Sequence, residues 1–361
     1  MTSVDKQSIN TLTGLCKASV SFNYVLFFTF VSMLGGCDHG PEIIKISGSK
    51  MGTSYHVTIV ADQPAPSDIA KQIEQTLDRV DQSMSTYKAD SEISQFNQLD
   101  VGEFLVISDD FDQVLRIARE VWQKSGGAFD PTVGPLVDIW GFGPTFTGDV
   151  VPSDSAIQKS LAGIGFEAVN RTMNNQQVSL SKGRPLRLDL SAVAKGYAVD
   201  LVADLLEMNA LPDYLVEVGG ETRVSGLNPE GQPWRLAIES PSPTELVAQV
   251  LNVQAGAVAT SGDYRNYFER DGVRYSHTID PRSGRPTTHS LASVTVVADT
   301  CAEADAWATA LMVMGQERAV GLANELEIPV YIISRQDKAY VASYSETFSP
   351  LLTTLELKEV Q

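Results

Sequence analysis

An apolar stretch near the N-terminus decides how much of this chain is available to fold. It covers residues 20–34, follows two lysines, and is followed by Gly35-Gly36-Cys37. A basic start, an apolar middle and small residues before a cut are typical of a bacterial secretory signal. The alternative is a membrane-spanning helix, but Asn23 and several hydroxyl residues interrupt a run that is already short of the roughly 20 residues needed to span a bilayer. We therefore expect residues 1–36 to be a signal peptide that is removed.

Cys37 stands in a context that resembles the lipobox of bacterial lipoproteins, with Leu34-Gly35-Gly36 before it. This resemblance implies that Cys37 is acylated and becomes the first residue of the mature chain. The acidic residue that follows, Asp38, resembles the signal that keeps a lipoprotein in the inner membrane of enteric-type bacteria. We expect a lipid-anchored protein on the periplasmic side of the bacterial inner membrane, with residues 37–42 as the lipidated tether.

The cysteines give the mature chain no disulfide. Cys16 would be removed, Cys37 would be lipidated, and Cys301 would be left without a partner. Stability must therefore come from a hydrophobic core, for which a chain of 361 residues with 43% hydrophobic residues is large enough.

The charge balance argues against a nucleic-acid partner. The chain has 27 Lys plus Arg against 45 Asp plus Glu, a formal net charge of −18. A protein that neutralises a phosphate backbone needs a Lys/Arg-rich face, which this chain cannot easily assemble. A phosphorylated small molecule would need a metal cation to offset the same negative charge.

Helical and strand-like patterns occur in clusters along the mature chain. Apolar spacing predicts a helix capped by Ser67, a second between Ser108 and Gly126, a third after Ser191 and a fourth over residues 303–314. Strands are predicted within residues 43–61 and over 214–218, 234–239, 247–253, 293–297, 330–334 and 340–343. Because the two types of element do not alternate strictly, the pattern favours an α+β fold over a doubly wound sheet.

Several common motifs are absent, and one decoy is present. There is no Walker A sequence, Gly141-Phe142-Gly143 lacks the third glycine of a dinucleotide fingerprint, and four histidines without HExxH make a multi-histidine zinc site improbable. Ser47 and Lys50 fit the SxxK motif of penicillin-recognising enzymes, and Lys124-Ser125-Gly126 loosely fits their K-[ST]-G element. That motif opens a helix, whereas Ser47 enters a β-rich run, so we keep this class only as an alternative that predicts β-lactam labelling at Ser47.

The segment DLSAVAKGYAVD, residues 189–200, places anion-binding chemistry at the start of a helix. Asp189 and Ser191 precede a helix whose first turns contain Ala192 and Lys195. Free N–H groups and the positive dipole end of such a helix can bind a pyrophosphate, and Lys195 would add a point charge. A plain N-cap with a solvated lysine explains the same residues, so this segment alone leaves both interpretations open.

The segment EADAWATALMVMG, residues 303–315, offers two oxygen-bearing side chains on one helical face. Asp305 and Thr309 are four residues apart. Hard oxygen donors suit Mg²⁺, which prefers a few protein oxygens together with water and substrate phosphates. Local capping or hydrogen bonding within the helix is the alternative.

The segment from residue 259 to 286 contains the best-placed histidine. His277 stands in a polar, turn-rich context close to Asp280, which is what a proton acceptor for a hydroxyl nucleophile requires. A structural histidine in a hairpin is an equally good explanation of this segment alone.

Eight segments together resemble one family, the FAD:protein FMN transferases, also called the ApbE family. In family order behind a lipobox, they are MGTSYHVTIV (51–60), MSTYKADSEISQFN (84–97), GAFDPTVGPLVDIWGFG (127–143), DLSAVAKGYAVD, EVGGET (217–222), ATSGDYRNYF (259–268), HTIDPRSGRP (277–286) and EADAWATALMVMG. The resemblance implies an α+β, T-fold-like architecture, with a single catalytic domain of mixed, largely antiparallel sheets and packed helices over residues 43–355.

The resemblance also implies roles for individual residues. Mg²⁺ would be held by the main-chain carbonyl of Ala192 and the side chains of Asp305 and Thr309. Some members have a further aspartate ligand just before the threonine; here that residue is Ala308, which leaves fewer charges and an open ligand count. His277 would activate the acceptor hydroxyl. FAD would be contacted by Met51, Tyr87, Ala128, Phe129, Asp130, Asp189, Lys195 and Ile279.

The implied reaction moves the FMN half of FAD onto a Thr or Ser of another protein and releases AMP. The implied acceptors are membrane redox subunits, such as those of the sodium-pumping NADH:quinone reductase or the related Rnf complex. Two other functions stay open at this point: an FAD pyrophosphatase that yields FMN and AMP, and an FAD-binding carrier lipoprotein.

Overall fold

The computed structural model describes residues 40–143, 150–242, 246–263, 267–337 and 339–352. The predicted signal peptide, Cys37 and the last residues of the predicted domain lie outside the described residues. Within these ranges, no helix has both the length and the apolar character that crossing a bilayer requires.

The described residues form an α+β fold, as the sequence predicts. The α-helices are α1 (Ile69–Met84), α2 (Glu92–Gln98), α3 (Asp109–Lys124), α4 (Gly134–Ile139), α5 (Asp154–Leu161), α6 (Ser191–Met208), α7 (Cys301–Met314) and α8 (Gln316–Glu325). The strands are β1 (Glu42–Lys50), β2 (Thr53–Ala61), β3 (Leu105–Ile107), β4 (Val169–Asn174), β5 (Gln177–Lys182), β6 (Asp213–Val218), β7 (Glu221–Ser225), β8 (Trp234–Glu239), β9 (Val247–Val253), β10 (Gly256–Gly262), β11 (Tyr267–Arg270), β12 (Val273–Ser276), β13 (Ile279–Asp280), β14 (Arg285–Pro286), β15 (Leu291–Ala298), β16 (Val330–Gln336) and β17 (Ala339–Tyr344).

An antiparallel sheet of eight strands forms the centre of the fold. Its order is β1-β2-β6-β7-β10-β15-β16-β17, and each pair of neighbours is antiparallel. A smaller sheet has the order β3-β5-β4, and three two-stranded ribbons join β8 to β9, β11 to β12 and β13 to β14. Such a largely antiparallel arrangement is what the family resemblance implies.

Helices α6 and α7 pack against each other and against the large sheet. Both are apolar on nearly every side, and most of their residues are buried, because they lie between the sheet and the amphipathic helices α1 and α3. A Cβ at Gly196 would lie 2.3 Å from the carbonyl oxygen of Cys301, so only glycine permits this closeness. Asp200 ties the helices together, since its carboxylate accepts the N–H groups of Cys301 at 2.8 Å and Ala302 at 2.9 Å.

Predicted and observed helix starts differ at α1. The sequence predicts Ser67 as the N-cap, but this prediction is wrong: the helix begins after Asp68, without a side-chain cap. The N–H of Ile69 instead bonds the Pro66 carbonyl at 3.0 Å, which turns the chain into the helix. At α3 the prediction is confirmed, because the Ser108 hydroxyl accepts the N–H of Phe111.

The SxxK match at Ser47 and Lys50 lies in the hairpin of β1 and β2, not at the start of a helix. Ser47 and Lys50 lie on β1, an odd number of residues apart, so they point to opposite faces of the strand. Lys50 binds Asp78 at 2.7 Å. The helical arrangement that the penicillin-type alternative needs is therefore not formed.

Candidate active site

A cavity of about 550 Å³ opens where the end of β10, the start of α6 and one face of α7 meet the ribbons. This volume is in the usual range for small-molecule sites. Its lining residues come from segments far apart in the sequence. They are Thr86, Tyr87, Ala128, Phe129, Asp130, Pro131, Val133, Val137, Phe142, Gly143, Asp189, Ser191, Ala192, Lys195, Gly219, Gly220, Glu221, Ala237, Glu239, Thr260, Ser261, Gly262, His277, Thr278, Ile279, Pro281, Asp305, Thr309, Met312 and Val313.

Asp305 is a buried carboxylate on the wall of this cavity. Only 4% of the residue is exposed, and its Oδ2 accepts the N–H of Gly196 at 3.2 Å. Burial raises the pKa of Asp305, while the positive charge of Lys195 acts in the opposite direction. A carboxylate in this position would be stabilised by a further positive charge in the cavity.

Lys195 and Glu221 form an ion pair beside Asp305, with 2.6 Å between Nζ and Oε1. Burial and the negative charge of Asp305 raise the pKa of Glu221 to about 7. Burial alone would lower the pKa of Lys195, but the carboxylates of Asp305 and Glu221 outweigh it and raise that pKa above its ordinary value. Lys195 is therefore a fixed positive charge at the cavity wall.

Thr309 lies one helical turn after Asp305 and contacts Ser261 at the end of β10. The two hydroxyl oxygens are 3.2 Å apart, and either can be the donor. When Thr309 donates to Ser261, the lone pairs of its oxygen are free to face the cavity.

Asp189 lies where the chain enters α6. Its Oδ1 accepts the N–H of Ser191 at 2.9 Å, and its own N–H donates to the Pro131 carbonyl at 2.7 Å. The prediction of a helix start here, with Asp189 before it and Ala192 and Lys195 in its first turns, is confirmed, but Ser191 is the first residue of the helix rather than a residue before it.

Asp130 has most of its hydrogen-bonding capacity committed to the protein. Its Oδ1 accepts the N–H of Thr132 at 2.8 Å and the hydroxyl of Thr132 at 2.5 Å. Its Oδ2 accepts the N–H of Phe166 at 3.4 Å. Burial raises the pKa of Asp130, although these hydrogen bonds act in the opposite direction. Asp130 thus shapes the loop that presents Ala128 and Phe129.

His277 follows β12 directly. It comes from a different element than Asp305 and Thr309, which are on α7, but it lines the same cavity. Its ring meets Phe142 edge to face, with 6.3 Å between ring centroids. The neighbouring turn is fixed by the N–H of Thr278, which donates to the Ser276 hydroxyl at 3.0 Å. A histidine ring and the side-chain oxygens of Asp305 and Thr309 therefore line one cavity.

Comparison with known proteins identifies the family that has this arrangement. The sequence model of the ApbE family matches residues 51–332. The chain belongs to the ApbE family. It is 43% identical to the FAD:protein FMN transferase of Vibrio cholerae over 339 residues, which cover 92% of this chain and 99% of that protein.

A further relative and a solved structure are also similar to this chain. The FAD:protein FMN transferase of Haemophilus influenzae is 41% identical over 330 residues, covering 90% of this chain and 95% of that protein. The solved structure of the flavin transferase ApbE from Vibrio cholerae superimposes with a TM-score of 0.80 at 41% identity, covering 86% of this chain and 100% of that one.

Most of the residues to which the ApbE resemblance assigns a role lie on the cavity wall. They are Tyr87, Ala128, Phe129, Asp130, Asp189, Ala192, Lys195, His277, Ile279, Asp305 and Thr309. Met51 is not among the lining residues; it lies at the turn between β1 and β2 with a φ of 54° and packs against the core. Its contact with FAD stays a prediction.

Sequence reasoning missed Glu221 and assigned no role to Ser261. Both lie inside segments that carry the resemblance, EVGGET and ATSGDYRNYF. The sequence feature that could have indicated Glu221 is a carboxylate directly after two glycines. Its ion-pair partner, Lys195, is 26 positions earlier in the chain. Only the packing of α6 against β7 brings the two together.

The oxygen donors fit a magnesium ion better than a heavier metal. No cluster of three or more His, Cys, Asp or Glu side chains suited to a metal occurs in the described ranges. Of the buried carboxylates on the wall, Glu221 is paired with Lys195 and Asp130 is bonded to Thr132, which leaves Asp305 as the candidate ligand, with Thr309 one helical turn later and Ala308 a fully buried apolar residue. Mg²⁺ is commonly held by one or two carboxylates with waters and substrate phosphates in its other positions, so these residues fit it.

Proposed function

We propose that this chain is a Mg²⁺-dependent FAD:protein FMN transferase, which moves FMN from FAD to a Thr or Ser hydroxyl of another protein and releases AMP. The observation that carries the proposal is the single cavity in which Asp305, Thr309, Lys195 and His277 meet. The names of the relatives in the ApbE family support it.

The wall provides both apolar and charged surfaces for FAD. Phe129 and Ile279 are buried apolar residues that could contact the isoalloxazine ring, and Tyr87, which is 76% exposed, stands where it could cover the ring. The pyrophosphate would lie near Lys195 and the start of α6, where the charge of Lys195 and the positive end of the helix dipole favour an anion.

Asp305, Thr309 and the Ala192 carbonyl would hold the magnesium ion. When bound, the ion would neutralise the pyrophosphate and stabilise the departing AMP. Lys195, whose pKa the carboxylates of Asp305 and Glu221 raise, would supply a second positive charge to the same phosphates. These charges explain how a chain with a net charge of −18 can take an anionic substrate.

The transfer itself is an in-line substitution at phosphorus. The acceptor hydroxyl oxygen bonds to the FMN-side phosphorus while the bond from that phosphorus to the AMP oxygen breaks. The hydroxyl proton passes to a ring nitrogen of His277, and AMP leaves with the bonding electron pair. The protein contributes positioning and charge neutralisation, as in other phosphoryl transfers.

The test is incubation with FAD, Mg²⁺ and an acceptor subunit, followed by intact-mass analysis. We expect the acceptor to gain one FMN and AMP to appear in equal amount. FMN and AMP without acceptor labelling would instead indicate a pyrophosphatase. Retention of one FAD without AMP would indicate a carrier.

The metal assignment has its own variant. Asp305→Asn keeps the shape of the side chain but removes its charge. With Mn²⁺ as the probe in place of Mg²⁺, we expect the affinity measured by electron paramagnetic resonance to fall about 10- to 100-fold. Glu303→Gln on the same helix is the matched control and should bind Mn²⁺ like the wild type. Wild-type Mn²⁺ affinity in Asp305→Asn would overturn the assignment.

The same proposal includes a place in the cell and a class of acceptor. We propose that Cys37 is acylated and that the protein acts at the periplasmic side of the inner membrane, on subunits of the sodium-pumping NADH:quinone reductase or Rnf type. The sequence around Cys37 and the family membership support this proposal.

A further inference from the structure

The segment between β5 and α6 is held by a side chain rather than by a strand. Asn97, on α2, bonds both backbone groups of Leu188, which is 91 positions away. Its Oδ1 accepts the Leu188 N–H at 2.7 Å, and its Nδ2 donates to the Leu188 carbonyl at 2.9 Å. The amide thus makes the pair of bonds that a neighbouring strand would make.

Lys182 adds hydrogen bonds to both sides of the contact between Asn97 and the segment. Its Nζ donates to the carbonyls of Asn97 at 3.1 Å and Leu186 at 3.4 Å, and the ammonium lies 5.6 Å from the centre of the Phe96 ring. The residue is 4% exposed, and burial lowers its pKa. We call Asn97 and Lys182 together the backbone clamp.

The backbone clamp acts together with other contacts of this segment: Leu186 and Leu188 are buried in the core, and the N–H of Asp189 donates to the Pro131 carbonyl at 2.7 Å. Leu186 and Arg187 border a second cavity of about 360 Å³, which Asn97 and Lys182 also line. Atoms beside a cavity have fewer contacts to keep them in place. The hydrogen bonds of the backbone clamp therefore add to the packing of this stretch on the side where the cavity leaves the packing incomplete.

The next residue of the segment belongs to the candidate active site. Asp189 lines the large cavity, and its carboxylate caps the N–H of Ser191, which together with Ala192 begins α6 on the same wall. A shift at Leu188 would move Asp189 and the start of α6 together. Asn97 lies outside the lining of that cavity and can act only through this backbone.

We propose that Asn97 is a positioning residue for FAD binding: through the backbone of Leu188 it fixes Asp189 and the first turn of α6 against the substrate. The proposal rests on the proposed function for its substrate. Its geometric part, the tethering of residues 186–191, does not.

The test compares Asn97→Ala with the matched control Gln95→Ala. Gln95 is an exposed amide on the same helix whose Nε2 donates to the Asp90 carbonyl at 3.0 Å, away from the segment. Asn97→Ala removes both hydrogen bonds to Leu188 and should weaken FAD binding, measured by flavin fluorescence, about tenfold. The maximal rate of flavin transfer at saturating FAD should change less than about twofold. Gln95→Ala should match the wild type in both FAD affinity and this rate.

A merely structural role would give the opposite split. Partial unfolding lowers the active fraction, and so the maximal rate, while the KM for FAD stays unchanged. That outcome, or wild-type FAD affinity in Asn97→Ala, would overturn the proposal. If Asn97→Ala does not fold, Lys182→Met removes the other half of the backbone clamp while keeping an apolar stem, and the same split is expected.

Amide hydrogen exchange separates this proposal from the proposed function. The N–H of Leu188 should lose protection in Asn97→Ala and keep it in Gln95→Ala, without any ligand. Unchanged protection would refute the tethering even if flavin transfer is confirmed. Lost protection in a protein that does not bind FAD would refute the proposed function and leave the tethering in place.

Discussion

At the scale of single residues, the chemistry depends on a few charges that the fold places close together. Asp305 and Glu221 are both buried, and Lys195 is bound to Glu221 at 2.6 Å. Asp305 and Thr309 could be paired from the sequence because they are four residues apart on one helix. The pairing of Lys195 with Glu221 could not be predicted, because no local periodicity connects a helix with a strand 26 residues later.

His277 should separate FAD binding from transfer. In His277→Ala we expect flavin fluorescence to report wild-type FAD binding, while acceptor labelling slows by about 100-fold or more, because the hydroxyl loses its proton acceptor. His56→Ala is the control, since His56 is exposed and does not line the cavity. Equal labelling rates in His277→Ala and the wild type would assign the base to another group.

At the scale of elements, the sequence predicted long and strongly patterned pieces well. The strands β8 and β9 have the predicted bounds, and α3 is capped by Ser108 as expected. The short strands β13 and β14 were missed because two residues contain no periodicity. Similarly, α8 follows α7 after one glycine and was not recognised as a separate helix.

The close contact between α6 and α7 predicts a large effect of one methyl group. Gly196→Ala should lower the free energy of unfolding by about 1–3 kcal/mol, because the new Cβ meets the Cys301 backbone and forces the helices apart. Gly321→Ala on α8 is the control: a Cβ there meets nothing within 4 Å. That control should be neutral or stabilising by about 0.5–1 kcal/mol in urea unfolding. Equal stability of the two variants would contradict the close contact.

The link between α3 and β4 should depend on pH. Arg171 binds Asp112 through two hydrogen bonds, of 2.6 and 2.9 Å, and these lower the pKa of Asp112. A carboxyl group with a lowered pKa in the folded state stabilises the protein above its unfolded value of about 4 and loses this contribution as the pH falls through the folded value.

Asp112→Asn should therefore be less stable than the wild type at pH 7, and the difference should shrink as the pH falls below about 4. Urea unfolding of both proteins across this range measures it. A difference that stays constant down to pH 2 would show that the charge of Asp112 is not the cause.

At the scale of the whole molecule, the fold class was predictable because helices and strands that occur in clusters restrict the architecture, while the largely antiparallel sheets were implied only by the family resemblance. The order of the eight strands was not, because β10 lies between β7 and β15 and no local signal specifies such a neighbour. From the sequence, the cavity could be predicted only as a set of segments that together resemble one family. Its walls follow from how distant segments meet, for example His277 from a ribbon and Asp305 from a helix.

The proposed anchor can be tested on the full-length protein. Cys37→Ser removes the acceptor of the lipid, so we expect it to lose incorporation of labelled palmitate and to leave the membrane fraction. Cys301→Ser is the matched control, because Cys301 is buried in the folded domain. Unchanged membrane association in Cys37→Ser would contradict lipid anchoring at this residue.

The contact of Gly196 with Cys301 and the bonds from Asp200 have an entropic consequence for any cation. The oxygens of Ala192 and Asp305 come from stretches more than 100 residues apart, yet folding alone fixes one helix against the other. The loss of chain freedom needed to assemble a chelating pocket has thus already occurred before an ion arrives. If an ion binds there as proposed, its affinity would not be reduced by the cost of bringing these two stretches together.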